Sequence, residues 1–189
     1  MVTQHENIVD PYIHEVKGAA AASADQILVA DGAGSASFTN PDTLFVSPVY
    51  GSMWMTGNAT GTSIPTADTY VQVAGNLTAG PLNGVTFGSN ALTVLTDGVY
   101  LVNYQITLTQ SGGATEEYRL RCGVDGGSDS FGNPRYSVAN TETESFSYQA
   151  IIALSANAVL YPMITNTTND AKGATATQIL FTVVKLRNT

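Results

Sequence analysis

The sequence predicts an all-β fold: an antiparallel sandwich of the jelly-roll kind, preceded by an extended N-terminal arm. Three observations lead there. From Tyr50 onward, short apolar runs are separated by clusters of Gly, Asn, Asp and Pro roughly every 8–15 residues, the spacing of strands and turns. The run GVYLVNYQITLTQ (98–110) alternates throughout. Tyr100, Val102, Tyr104, Ile106 and Leu108 point one way, and Val99, Leu101, Asn103, Gln105 and Thr107 the other, as in a strand on a sandwich core. Only 12% of the chain is charged while Gly, Ser, Thr and Asn abound, a composition of β-rich extracellular, fibre or capsid proteins, and no segment beyond GAAAASA (18–24) reads as a helix.

The strands follow in order. YGSMWMTG (50–57) is a first short one, then TYVQVAG (69–75), then GVTFGSNALTVLT (84–96) as a single strand. After 98–110 comes EYRLRCGVDG (117–126), which ends at a Gly-Gly turn. SFSYQAIIALSANAVLYPMIT (145–165) supplies two strands around Ser155-Ala156-Asn157, and TQILFTVVKL (177–186) closes a set of about eight. In this last run both faces are apolar: Ile179, Phe181 and Val183 against Leu180, Val184 and Leu186. A strand in one sandwich needs a single buried face, so the surplus calls for a neighbouring subunit.

The chain divides into an arm, residues 1–48, and a sandwich, residues 49–189. The arm carries six acids (Glu6, Asp10, Glu15, Asp25, Asp31, Asp42) against Lys17 alone. Within it, QILVADGAGSASFT (26–39) reads as a hairpin. Ile27, Leu28 and Val29 have strand propensity, Asp31-Gly32 suits a turn with positive φ, and Phe38 lies in the second strand. A lone two-stranded hairpin is marginal in water, so it needs a third surface.

Several function classes are excluded. Seven Lys+Arg stand against fifteen Asp+Glu, a net charge of −8 that disfavours nucleic acid. No stretch is apolar enough to span a bilayer, and the N-terminus lacks the pattern of a secretory signal, so folding in a reducing cytoplasm is expected. The lone cysteine, Cys122, can form no intrachain disulfide and is expected to be a buried small hydrophobe. The sequons at Asn58, Asn76 and Asn166 are read as chance in a chain rich in Asn and Thr. His5 and His14 are the only histidines, and HEVKG lacks the second histidine of a zinc-binding His-Glu-x-x-His. Asp125 and Asp129 offer hard oxygens of the kind calcium takes, but without EF-hand spacing they read as a solvated loop. Glu116-Glu117 and Glu142/Glu144 read as exposed loop carboxylates rather than a glycosidase pair, and no nucleophile has a histidine in the sandwich to activate it. The expectation is a protein with no enzymatic activity, no metal and no cofactor. Trp54, flanked by Met53 and Met55, reads as a core or inter-subunit aromatic rather than the mark of a binding groove.

Two resemblances sharpen these expectations. LTVLTDGVYLVNYQITLT, through Leu95, Gly98, Val99, Tyr100, Val102, Tyr104 and Ile106, resembles the hallmark strand pair of the complement globular-head and tumour-necrosis-factor superfamily. SFSYQAIIALSANAVLYPMI is similar to the family's next pair, with Ala156-Asn157 where the family often has Gly-Asp, and ATATQILFTVVKL to its closing strand. The likeness spans about residues 50–187 and implies a TNF-like, ten-stranded jelly roll assembled as a homotrimer. Tyr100, Val102, Tyr104, Ile106, Phe181 and Val183 would then form its core and trimer contacts.

The arm segment HEVKGAAAASADQILVADGAGSASFTNP is similar to N-terminal segments of phage virion proteins. The match runs through His14, Glu15, Lys17, Gly18, Val29, Ala30, Asp31, Gly32, Gly34 and Phe38, with Val16 where Pro is frequent and Phe38 where Trp is frequent. It implies a particle-attachment arm whose capsid-binding residues are His14, Glu15, Lys17, Gly18, Ile27, Val29, Asp31, Gly32 and Phe38. Together the two imply a trimeric capsid decoration (cement) protein or short head fibre on the virion exterior. The major capsid protein would be its partner, and a host-surface glycan or protein a candidate for its outward face. The alternative is a tail-fibre tip that binds a receptor.

Overall fold

The computed structural model describes residues 26–30, 36–40, 48–110, 114–128, 135–139, 142–168 and 173–188. The chain divides between Ser47 and Pro48 into two units. In the first, strand β1 (Ile27–Ala30) pairs antiparallel with β2 (Ala36–Thr39) in the register Ile27↔Thr39, Leu28↔Phe38 and Val29↔Ser37.

The second unit is an all-antiparallel pair of sheets. One has six strands: β3 (Tyr50–Thr56), β4 (Gly61–Thr62), β6 (Thr78–Asn83), β9 (Gly98–Gln110), β13 (Thr143–Leu154) and β15 (Ala174–Arg187). They run in the order β13-β9-β15-β3-β6, with β4 on β15. The other has seven: β5 (Val71–Gln72), β7 (Val85–Gly88), β8 (Ala91–Val94), β10 (Glu116–Val124), β11 (Gly127–Ser128), β12 (Arg135–Val138) and β14 (Val159–Asn166). Its order is β11-β10-β14-β8-β7, with β12 on β10 and β5 on β14. The long strands β9, β10, β13, β14 and β15 alternate between the sheets, except across the short β11–β12 excursion. Each crossing wraps the chain around the core, which is jelly-roll connectivity. Among the described residues there is no helix, and none therefore long and apolar enough to cross a membrane.

More strands exist than the sequence reading anticipated. The run 84–96 is two strands, because Ser89 and Asn90 both take positive φ (52° and 58°) and form a tight hairpin turn between β7 and β8. β4, β6, β11 and β12 carried no apolar alternation to betray them. β6 is an almost wholly exposed edge strand that tolerates Pro81, as edges do.

The alternation in β9 emerges as read: Tyr100, Val102, Tyr104, Ile106 and Leu108 are all at most 2% exposed between the sheets. β15 faces Tyr104 and Val102 with Phe181 and Val183, both fully buried. Its inward parity changes along the strand, however. Ala174 and Ala176 point in, then Ile179, Phe181 and Val183, because a bulge between Ala176 and Gln178 inserts one residue. The Gly98-Val99-Tyr100 motif also has a physical cause. A side chain on Gly98 would sit 2.7 Å from the Arg187 carbonyl oxygen, and the Tyr100 hydroxyl donates to the Thr96 carbonyl at 2.6 Å. Together they pin the entry to β9 against the end of β15.

Candidate functional site

Two surfaces are candidates, one in each unit. In the hairpin, strand alternation puts Leu28 and Phe38 on one face and Ile27 and Val29 on the other. Ile27 and Leu28 are 42% and 43% exposed, while Val29 and Phe38 are half-buried. The expected contact residues Ile27, Val29 and Phe38 therefore do not share a face; a partner reaches them together only by enclosing the hairpin or pairing with its edge. His14, Glu15, Lys17, Gly18, Asp31, Gly32 and Gly34 lie outside the described residues.

The second surface is the open face of the six-stranded sheet. Its registers align outward residues in rows across β13, β9, β15 and β3. Ile151, Leu101, Val184 and Tyr50 form one row. Gln149, Asn103, Thr182 and Ser52 form the next, then Ser147, Gln105, Leu180 and Trp54, then Ser145, Thr107, Gln178 and Thr56. The first row is entirely apolar apart from the tyrosine hydroxyl, with Ile151 57% exposed and Val184 40%. The last two rows line an open groove of about 570 Å³ between Trp54, Leu180, Gln105, Gln178 and the serines of β13. The hydroxyls of Thr107 and Ser145 hydrogen-bond across its floor at 3.0 Å.

Tyr100, Val102, Tyr104, Ile106, Phe181 and Val183, expected at the core and trimer contacts, all lie inside the single subunit's core. The face they leave outward belongs to Leu101, Ile151, Leu180 and Val184. Trp54 is not a core residue: at 43% exposure it stands on the open face, because β3 turns Met53 and Met55 inward and so Trp54 outward. The sequence carried a signal for Ile151 in the adjacent pair Ile151-Ile152, since neighbouring strand residues cannot both face one core.

The remaining candidates have structural explanations. Glu116 is not a loop carboxylate but a strand residue only 2% exposed, held by the Asn166 amide at 3.2 Å. Asn166, a sequon residue, is itself fully buried and also accepts from the Thr168 backbone at 2.7 Å. Beside them, burial and then the charge of Glu116 push the Tyr118 phenol up to about 12, with the Asn166 amide partly offsetting the rise. Glu117 is half-exposed on β10, and Glu142 and Glu144 are exposed. Asp125 spends its carboxylate on the Val159 backbone N–H at 2.8 Å, and Asp129 lies outside the described residues. Among the described residues no three His, Cys, Asp or Glu side chains converge as metal ligands do. Cys122 is fully buried, its thiol donating to the Gly123 carbonyl at 3.4 Å. The neighbouring arginines hold a loop down: Arg119 reaches Asp68 at 3.7 Å, and Arg121 lies 4.4 Å over the Tyr70 ring.

No protein-family model matches the chain, and no curated protein matches it significantly. Solved structures do resemble it. Eiger TNF from S. frugiperda is 19% identical over 76% of this chain and 96% of its own, with a TM-score of 0.47. The globular domain of zebrafish complement 1qA is 10% identical over 76% of this chain and all 100% of its own, at 0.49. Murine APRIL at pH 5.0 is 15% identical over 72% of this chain and 99% of its own, at 0.49. The likeness concerns fold alone, a TNF-like jelly roll.

Proposed function

We propose that this chain is a phage virion structural protein, a trimeric capsid decoration protein or short head fibre without enzymatic activity. The arm, residues 1–48, grips the major capsid protein, and the jelly roll projects from the capsid exterior. The observation that carries the reading is the hairpin: a two-stranded unit with Ile27 and Leu28 more than two-fifths exposed is marginal alone and gains by pairing with a foreign sheet edge. This supports the role implied by the sequence motif around His14–Phe38. Trimerisation is supported by the Ile151–Leu101–Val184–Tyr50 row, an apolar band crossing four strands that one subunit leaves open.

Assembly and attachment depend on each other. Ordering the arm costs on the order of 1 kcal/mol per residue, so a single arm holds weakly. Three linked arms raise avidity by roughly 10²–10⁴ where the sites match their spacing, as threefold positions of a shell do. Purified protein mixed with undecorated particles is expected to bind them, and a variant lacking residues 1–40 to remain folded and trimeric but no longer bind. Binding that survives the deletion refutes the arm assignment; a monomer at working concentration refutes the avidity argument. A second reading, a receptor-binding tip, is favoured by the groove beside Trp54. It predicts that free protein blocks adsorption to the host.

A further inference from the structure

We propose that the groove on the open sheet face binds a neutral carbohydrate. Its volume, about 570 Å³, falls within the ~300–1,000 Å³ of small-molecule sites. Trp54 and Leu180 are direct cross-strand partners, 43% and 42% exposed, and together they make an apolar platform. Around it stand Gln105, Gln178, Ser145 and Ser147, amides and hydroxyls that both donate and accept. None of the twelve residues lining the groove carries a charge, in a chain whose net charge is −8.

That combination fits a pyranose. The C–H face of such a ring is apolar and lies flat on an indole, while its rim of hydroxyls needs partners of both polarities. An anionic or cationic ligand finds no counter-charge here. A purely apolar partner would cover the two glutamines and leave their amides unsatisfied, which costs more than the burial returns. A second copy of the chain is better served by the Ile151–Leu101–Val184–Tyr50 row. That row lies four residues further along β15, about 14 Å away at ~3.4 Å per residue. The inference gives the receptor-binding reading a ligand class, and it does not depend on the arm.

Trp54 is the only tryptophan, so its fluorescence reports on this groove alone. The full-length protein is screened on an array of neutral glycans, and the strongest binders are titrated while Trp54 emission is followed. Polygalacturonate serves as the charged comparison. A saturable emission change is expected with a neutral glycan and not with polygalacturonate. Gln105→Ala and Gln178→Ala, at exposed positions that leave the core intact, should each weaken binding about 3- to 10-fold, the loss of one hydrogen bond. A blank array overturns the proposal, as does unchanged affinity in both glutamine variants. So does an emission change that tracks protein concentration without sugar, because a second copy then occupies the groove. Sedimentation of the same samples keeps this outcome distinct from failure of the trimer.

Discussion

Replacing Tyr104 by Phe removes one oxygen atom from the middle of the sandwich, and the protein should become more stable. Tyr104 is fully buried, its ring 5.8 Å from that of Phe181, and its hydroxyl has no hydrogen-bond partner. An unpaired buried hydroxyl costs about 1–3 kcal/mol. The void left by one oxygen, roughly 10–15 Å³, returns only ~0.3 kcal/mol of that at about 24 cal/mol per Å³. The net gain is about 0.7–2.7 kcal/mol, which for a unit of this size raises Tm by roughly 2–10 °C. Tyr100→Phe is the matched control. Tyr100 is equally buried but donates to the Thr96 carbonyl at 2.6 Å, so its loss should cost ~1 kcal/mol. Urea and thermal unfolding of both variants at one protein concentration measures the difference, since self-association would make Tm depend on concentration. If both variants shift the same way, or Tyr104→Phe loses stability, the Tyr104 hydroxyl has a partner and the argument fails.

Other consequences follow from the same geometry. Ile151→Asp should break self-association without unfolding the subunit. Burying the exposed half of Ile151 is worth about 1 kcal/mol per copy, hence ~3 kcal/mol across the proposed trimer, so sedimentation at equal concentration should show the variant shifted toward monomer relative to wild type while circular dichroism stays unchanged. The raised phenol of Tyr118 makes stability alkali-sensitive. The unfolded chain releases this proton near pH 10 and the folded chain only near 12. The Tyr118 contribution to stability is therefore constant below pH 10, falls by ~1.4 kcal/mol per pH unit to pH 12, and then levels, which urea titrations of wild type against Tyr118→Phe at stepped pH will show. Glu116→Gln removes one cause of the shift, so phenolate absorbance should show Tyr118 ionising at lower pH in that variant. Gly123→Ala should destabilise markedly or abolish folding, because the new methyl would collide with the Tyr161 ring lying over β10; a thermal shift within 1–2 °C of wild type would show that the ring moves aside.

How far the sequence revealed this molecule depended on whether a strand faced the core. β9 was legible residue by residue because one side of it is sealed by the opposite sheet, which enforces strict alternation. β6 and β12 were invisible: an edge or a short return strand is held by backbone hydrogen bonds, which leave no mark on side-chain polarity. The two apolar faces read in β15 are both real, Ile179, Phe181 and Val183 being buried and Leu180, Val184 and Leu186 exposed, whereas the bulge that shifts the parity of Ala174 and Ala176 left no mark in the sequence. Glu116 misled because a buried carboxylate has the same letter as a solvated one; its partner Asn166 lies 50 residues away. The groove was missed because its walls are Gln, Ser and Thr, ordinary surface residues until cross-strand register sets them around Trp54.

The position of β15 makes closure of its sheet wait on a segment distant in sequence from both of its neighbours. It occupies the middle of its sheet, between β9 and β3, although it follows every other described strand in sequence. Until Ala174–Arg187 have emerged from the ribosome, β13–β9 and β3–β6 are two fragments, each with a naked edge that β15 alone joins. Ala174–Arg187 must therefore be in place before this sheet can close, and a chain cut short upstream of β15 is fit for proteolysis rather than a smaller working version.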